Sequence, residues 1–199
     1  MYKIDVDKIY RIIDTNNNKL TCNVFNNDRI NFLNELSRLI LDCKICRKHS
    51  DLISLSFWLR KKNILAFKKI NSTNDIRVPR GTILHITPNN VPTNFMYSFT
   101  WGFMTGNINL VKLPSKNFIQ VDLLIKIIKN LLKKKKYFKI SKSNFFFKYD
   151  RNEAKITSKL SKISDIRIVW GSDETISKIK NFDTKIKTKD IFFNNRFST

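Results

Sequence analysis

Turn-forming residues are scarce in this chain: it holds four glycines and four prolines among 199 residues, and all but Gly171 lie between Pro79 and Pro114. So few glycines form neither a G-x-G-x-x-G fingerprint nor a P-loop, which excludes the ordinary glycine-rich cradles for a nucleotide phosphate. Cysteine is nearly as rare. Cys22, Cys43 and Cys46 make a poor disulfide framework and suit a reducing cytoplasm. No apolar run approaches the ~18 residues that a membrane helix needs. The opening MYKIDVDKIYRIID alternates charge with apolar residues and has no signal-peptide core. These absences predict a cytoplasmic protein without a membrane span.

Acidic residues are also few, 16 against 38 Lys and Arg, which leaves a net charge of +22. Such a charge first suggests a nucleic-acid or anionic-surface partner. Its densest block is Lys126 to Lys148, where Phe145, Phe146 and Phe147 could stack on bases. Elsewhere the lysines are scattered, as on a solvated surface of biased composition, and consecutive strand residues face opposite ways, so at least one of the three Phe is buried. Nucleic acid is therefore the rival reading. Cys43-Lys44-Ile45-Cys46 followed by His49 resembles half a zinc site, but the same spacing lines one face of a helix and no second ligand pair follows. No metal is expected.

What is present is a 42% hydrophobic content, enough for a core. The first eighty residues read as mainly helical. Ile30, Leu33, Leu36, Ile40 and Cys43 recur at helical spacing behind Asp28 as N-cap, Leu52 to Trp58 continues the pattern, and LTCNVF (Leu20 to Phe25) reads as a strand. After Pro79 the texture alternates. Strands are predicted at Thr82–Thr87, Asn107–Leu113, Asn144–Tyr149, Asp165–Trp170 and Lys189–Phe193. Between them, helices are expected after Pro92 and closed by Gly106, from Phe118 to about Lys136 with Ser115 as cap, and over Glu153–Ile163 and Asp173–Asn181. This alternation predicts an α/β fold, a parallel sheet with helices on both faces.

Ligands of such sheets bind at the carboxyl ends of the strands. One end is the loop Pro88-Asn89-Asn90-Val91-Pro92, stiffened by two prolines, whose amides can donate and accept; an amide held there can stabilise an oxyanion. In an isolated reading Asn-Asn in a loop is more often a turn. Another is Gly171-Ser172 at a helix start, where backbone amides can hold a phosphate, although Asp173 and Glu174 oppose an anion there.

RGTILHITPNNVPTNFMYSFTWGFMTGNINLVKLPSKNF, Arg80 to Phe118, resembles the signature region of the LuxC-type acyl-CoA reductases, and RIVWGSDETISKI and KDIFFNNRFS resemble two later family segments. The resemblance covers Pro79 to Ser198 and implies an aldehyde dehydrogenase superfamily protein. It implies a mainly helical segment over 1–78, an incomplete Rossmann-like NAD(P)-binding domain over 79–199, and a catalytic domain that is not in this chain. By resemblance Asn90 is the side-chain oxyanion donor of a Pro-x-Asn-Phe-Pro loop. Ile86, Thr87, Pro88 and Asn89 would line the nicotinamide. Gly106-Asn107 resembles the family's turn, Lys112 the lysine at the adenosine ribose, and Gly171-Ser172 the Gly-Ser at the pyrophosphate. On this reading the scarce Gly and Pro mark where cofactor and substrate approach the backbone.

Three departures matter. No acid follows Lys112 in Leu113-Pro114-Ser115-Lys116, so Lys112 and Lys116, with Ser115 between them, point to NADPH rather than NADH. The superfamily's general-base Glu has no counterpart in DIFFNNRFS, which suits reduction. The family's nucleophilic cysteine lies downstream of the segment resembling Phe192 to Ser198, so the chain reads as a fragment, one part of a split enzyme or a non-catalytic remnant. The expected reaction is NADPH-dependent reduction of a long-chain acyl-CoA or acyl-protein thioester to aldehyde. Expected partners are an acyl-protein synthetase and an acyl-transferase, with homo-oligomerisation left open.

Overall fold

A computed structural model describes residues 5–71, 76–150 and 152–194, and for residues 14–19 the backbone alone. Four helices come first: α1 (Val6–Leu20), α2 (Asn27–Asp42), α3 (Ser50–Trp58) and α4 (Lys61–Ile70). Strands and helices then alternate as β1 (Thr82–Ile86), α5 (Asn94–Met104), β2 (Ile108–Lys112), α6 (Ile119–Leu132), α7 (Phe138–Ser141) and β3 (Asn144–Phe147). The described chain closes with α8 (Ala154–Ile163), β4 (Ile166–Gly171), α9 (Asp173–Lys180) and β5 (Lys189–Asn194). The five strands form one parallel sheet in the order β3-β2-β1-β4-β5.

The two sheet faces carry separate cores. Ile86, Leu110, Phe147 and Val169 face α1, α8 and α9 through Ile9, Ile13, Leu160 and Ile176. Val111 and Phe146 face the other way, into a larger cluster built from α2 to α6 around Phe32, Phe95, Phe99 and Phe103. Burying each such ring stabilises by about 1.5–3 kcal/mol, so the early helices and the sheet share their hydrophobic stabilisation. Arg29 of α2 fastens the layers: its Nη1 donates to the carbonyls of Phe103 (2.5 Å) and Asn107 (3.0 Å), placing a cation at the C-terminus of α5.

Several local expectations need correction. Leu20 to Phe25 is no strand: α1 runs through Leu20, Phe25 has φ 53°, and the Cys22 and Phe25 amides donate to the Gly106 and Met104 carbonyls (3.1 and 2.7 Å). The segment satisfies its amides on the end of α5 rather than on a sheet edge. The N-cap of α2 is Asn26, whose side chain accepts from the Asp28 amide at 2.9 Å, and Asp28 sits in the first turn. Ser115 does not cap α6, which starts after Phe118 without a side-chain cap and stops at Leu132 instead of Lys136. Cys43, Cys46 and His49 do not share a helix face. Cys43 terminates α2, Cys46 opens a short 3-10 turn and His49 precedes α3. Among the described residues no group of three or more His, Cys, Asp or Glu is placed to hold a metal, and no helix is long and apolar enough to cross a membrane.

Two lysines of the block and its phenylalanines are engaged by the fold. Lys134 and Lys136 pair with Glu35 of α2 at 2.5 and 2.7 Å, and the Tyr137 hydroxyl donates to the same carboxylate at 2.7 Å. Burial alone would raise the Glu35 carboxyl, but these three donors hold it down at about 2. Phe146 meets Phe95 and Phe99 edge-on, Phe147 is buried and Phe145 packs on the α8 side. Phe146 and Phe147 are thus packed into the two cores, and Phe145 is half-buried against one of them.

Candidate nucleotide-binding site

The strand order changes direction between β1 and β4, since β2 and β3 continue on one side of β1 and β5 on the other. In an open parallel sheet the crevice outside the carboxyl ends at such a point receives ligands. Ile86 to Asn90 leave β1 there, Gly171 and Ser172 leave β4, and Lys112 to Lys116 leave the neighbouring β2. The fold thus gathers the predicted residues of three separate segments on one edge.

Hydrogen bonds lace this edge from β1 to β3. The Thr87 hydroxyl donates to the Lys112 carbonyl at 3.4 Å, and Asn89 Oδ1 accepts from the Ser115 amide at 2.9 Å. Ser115 Oγ donates to the Tyr149 carbonyl, just past β3, at 3.1 Å. Ile86 and Thr87 are buried, Pro88 and Asn89 half-buried, and Asn90 is exposed with no hydrogen bond to any described residue. Asn89 is therefore a structural clamp, whereas the Asn90 amide is free to donate.

Lys112 is 6% exposed, and its Nζ lies 5.0 Å from the centre of the Tyr149 ring. Burial lowers its pKa, and the nearby Asp150 carboxylate opposes that shift. Tyr149 shares a 2.9 Å hydrogen bond with Thr157 of α8, and burial pushes its hydroxyl up to about 12. Lys116 is exposed with its Nζ 5.3 Å from the Phe118 ring, and Lys148 Nζ donates to Asn117 Oδ1 at 2.6 Å. Tyr149, Asp150 and Lys148 were missed by reading the sequence. The signal available was the carboxyl end of the strand predicted at Asn144–Tyr149, next to Lys112 only once strand order is known.

The β4 side differs. Ser172 Oγ accepts from the Thr175 amide at 3.4 Å as the N-cap of α9, and a Cβ at Gly171 would meet the Thr175 side chain at 3.0 Å. Asp173 and Glu174 occupy the first turn, and Asn194 Nδ2 donates to Asp173 Oδ1 at 2.9 Å. Trp170 stacks on Phe193 at 4.0 Å. The cleft is therefore cationic on the β2 side and acidic on the β4 side. The basic β2 side suits the phosphate groups of a nucleotide, and Gly171 keeps the β4 exit free of a side chain.

The other glycines serve the protein itself, which corrects the reading that they mark cofactor approach. Gly106 (φ 83°) closes α5 against the Cys22 carbonyl, at the amino-terminal edge of the sheet. Gly81 (φ 127°) lies on that same edge, against Asp165. Gly102 faces His85 and Asn109, where a Cβ would lie 2.9 Å from His85 Nε2. His85, fully buried in β1, bonds Ser98 Oγ (2.8 Å) and Asn109 Oδ1 (3.0 Å). Asn109 Nδ2 donates to Asn107 and Asn144, so its oxygen accepts from Nε2–H and Nδ1 accepts from Ser98. Burial lowers the His85 pKa to about 4, so the ring is neutral.

No cysteine reaches the cleft. Cys22 docks beside Gly106 at the opposite edge, about one five-residue strand, roughly 16 Å, from the β1 exit, while Cys43 and Cys46 lie in the helical layer. A groove of about 430 Å³ also opens there, lined by Asp28, Glu35, Arg38 and Lys136 among others, and contains none of the candidate residues.

Comparison with known proteins agrees with this geometry. A family model for acyl-CoA reductase (LuxC) matches residues 3–199, and no curated protein sequence matches the chain. Glyceraldehyde-3-phosphate dehydrogenase GapN from Methanocaldococcus jannaschii, in a structure complexed with NADP, superposes with TM-score 0.70 at 18% identity, covering 98% of this chain and 47% of that one. A mutant of proline utilization A (PutA) from Bradyrhizobium japonicum gives TM-score 0.70 at 14% identity, covering 98% and 22%. An Anabaena variabilis structure described as an aldehyde dehydrogenase, PutA, gives 0.55 at 16%, covering 95% and 42%. The chain thus spans between about a fifth and a half of these solved chains, and at such identities the likeness is one of fold. With a crevice at the β1–β4 reversal and a family model matching nearly every residue, the chain belongs to the acyl-CoA reductase (LuxC) family and carries an aldehyde dehydrogenase-type, Rossmann-like α/β fold.

Proposed function

We propose that this chain forms the NADPH-binding part of a reductase that converts a long-chain fatty acyl thioester, carried by coenzyme A or a protein, to the aldehyde. The observation that carries this reading is the free Asn90 amide at the β1 exit beside a cleft edge lined by Lys112 and Lys116. NADPH bound there supplies the hydride. Ile86, Thr87, Pro88 and the clamped Asn89 form the wall against which the ring is oriented, and Gly171 admits the backbone side of the pyrophosphate. Lys116 attracts the 2′-phosphate, as a mobile cation with little desolvation cost. Asn90 donates to the acyl oxygen as charge develops on it.

The attacking thiolate comes, on this reading, from a family cysteine outside this sequence, because Cys22, Cys43 and Cys46 all lie away from Asn90. An acyl-protein synthetase and an acyl-transferase are the proposed partners. Nucleic-acid binding gains no support, since the aromatic residues it needs are packed and two of its lysines hold Glu35. The test is calorimetric titration of the purified chain with NADPH and NADH. Tighter binding of NADPH supports the proposal; equal affinities, or no binding of either, overturn it.

A further inference from the structure

The sequence motif that the nucleotide site leaves unused is Cys43-Lys44-Ile45-Cys46, in the turn between α2 and α3. Its two sulfurs are inequivalent. Cys46 is fully buried in the larger core, while Cys43 is half-buried in a turn whose Ile45 is 51% exposed. The Cys46 amide donates to Cys43 Sγ at 3.2 Å. The Arg47 amide donates to the Cys43 carbonyl at 3.1 Å, and the His49 amide to that of Cys46 at 3.0 Å, so the turn is held tightly at both cysteines.

We propose that Cys43 and Cys46 form a reversible dithiol–disulfide site, in which Cys43 is the attacking thiol and Cys46 the resolving one. A turn brings residues i and i+3 within about 7 Å between Cα atoms, and a disulfide needs about 4.4–6.8 Å, so closure requires little backbone movement. Desolvation opposes ionisation of Cys43, but the Cys46 thiol and amide, the Ile45 amide and the Arg47 charge together lower its pKa. Cys46 goes the other way: burial and the Cys43 sulfur push its thiol up to about 12. This asymmetry makes one sulfur nucleophilic and keeps the other as a thiol until a mixed disulfide forms beside it.

The oxidant is a low-molecular-weight disulfide, represented by oxidised glutathione. The Cys43 thiolate attacks one glutathione sulfur, the glutathione disulfide breaks, and one glutathione thiolate leaves. The Cys46 thiol then loses its proton to that thiolate, attacks the Cys43 sulfur and expels the second glutathione. Two protein thiols are oxidised and one disulfide is reduced to two thiols, and excess reduced glutathione reverses both steps. The site lies in the helical layer, so this chemistry is separate from the proposed nucleotide cleft.

The experiment equilibrates the full chain in glutathione buffers from fully reduced to fully oxidised, quenches with acid, alkylates free thiols and maps peptides by mass spectrometry. Cys43 and Cys46 should disappear together from the alkylated pool into one peptide with an internal disulfide, while Cys22 stays alkylatable. In Cys46→Ser, Cys43 should accumulate a glutathione mixed disulfide roughly tenfold above the wild-type level, because nothing resolves it; in Cys43→Ser, Cys46 should stay unmodified. Should Cys46→Ser not fold, the wild-type series and Cys43→Ser decide alone. Wild-type thiols that remain alkylatable in oxidised glutathione alone, or a stable wild-type mixed disulfide on Cys43, overturn the proposal.

Discussion

Asn89 Oδ1 accepts a 2.9 Å hydrogen bond from the Ser115 amide, tying the loop after β1 to the loop after β2. Its neighbour Asn90 makes no such bond among the described residues. The two amides of one Asn-Asn pair are thereby separated into a clamp and a free donor. Asn89→Ala should destabilise the chain by about 1 kcal/mol, leaving a half-buried amide unpaired, and weaken NADPH binding. Asn89→Asp keeps an acceptor and should restore most of the stability. Asn90→Ala should leave both quantities near wild type. Urea unfolding and calorimetry measure them, and equal losses in Asn89→Ala and Asn90→Ala would remove the distinction.

The cofactor preference has two opposing charges to test. Lys116 is an exposed cation, and Asp150 is a carboxylate within electrostatic reach of Lys112. Lys116→Glu should shift preference from NADPH towards NADH, and Asp150→Asn should shift it further towards NADPH, each by roughly tenfold in the affinity ratio for about 1.4 kcal/mol of changed interaction. Calorimetric ratios that move in neither variant would show that neither residue senses the 2′-phosphate.

His85 sets an acid limit. Its folded pKa is about 4, because burial dominates, against 6.5 for the free ring. From pH 6.5 down to about 4 the unfolded chain binds a proton that the folded chain does not, so stability present above pH 6.5 is lost as pH falls. The full difference is about 3 kcal/mol. His85→Gln should flatten the pH dependence in this window, whatever its cost at pH 7. Unfolding free energies at pH 7, 5.5 and 4.5 give the slope, and an unchanged slope in the variant would assign the acid loss elsewhere.

Gly102 is predicted to be intolerant of even a methyl group. A Cβ there would sit against His85 Nε2 and Asn109 Oδ1, inside a buried network reaching Ser98 and Asn144. Gly102→Ala should cost about 2 kcal/mol or more, since overpacking and a broken polar network add. At an exposed helical glycine the same change would stabilise, so the sign of the change in thermal midpoint is the readout.

Acylation tests the position of the nucleophile. Residues 1–199 alone should take up no stable label from a long-chain acyl-CoA. In a complete enzyme of this type Asn90→Ala should slow aldehyde formation by about 100- to 1000-fold. Peptide mapping after incubation with radiolabelled acyl-CoA gives the answer; stoichiometric label on Cys22, Cys43 or Cys46 would relocate the chemistry.

Much of this protein was determined by local sequence. The alternation of β-branched runs with helical periods after Pro79 gave all five strands, because period and turn residues act within a few positions. The same holds for Gly106 as a left-handed cap, and for the strand ends carrying Asn90, Lys112 and Gly171. Other features were decided only in three dimensions. Ser115 could be read as a helix cap, yet its partners are Asn89 and Tyr149, 26 and 34 residues away. Lys134 and Lys136 looked like free cations until α2 brought Glu35 against them. Gly81, Gly102 and Gly106 are glycine because Asp165, His85 with Asn109, and the Cys22 carbonyl fill the space beside them. Periodicity reports what a residue does for its own element. Which donor meets which acceptor, and which sulfur lies beside which, depends on strand order and layer packing, and those emerge only when distant segments compete for the same buried positions.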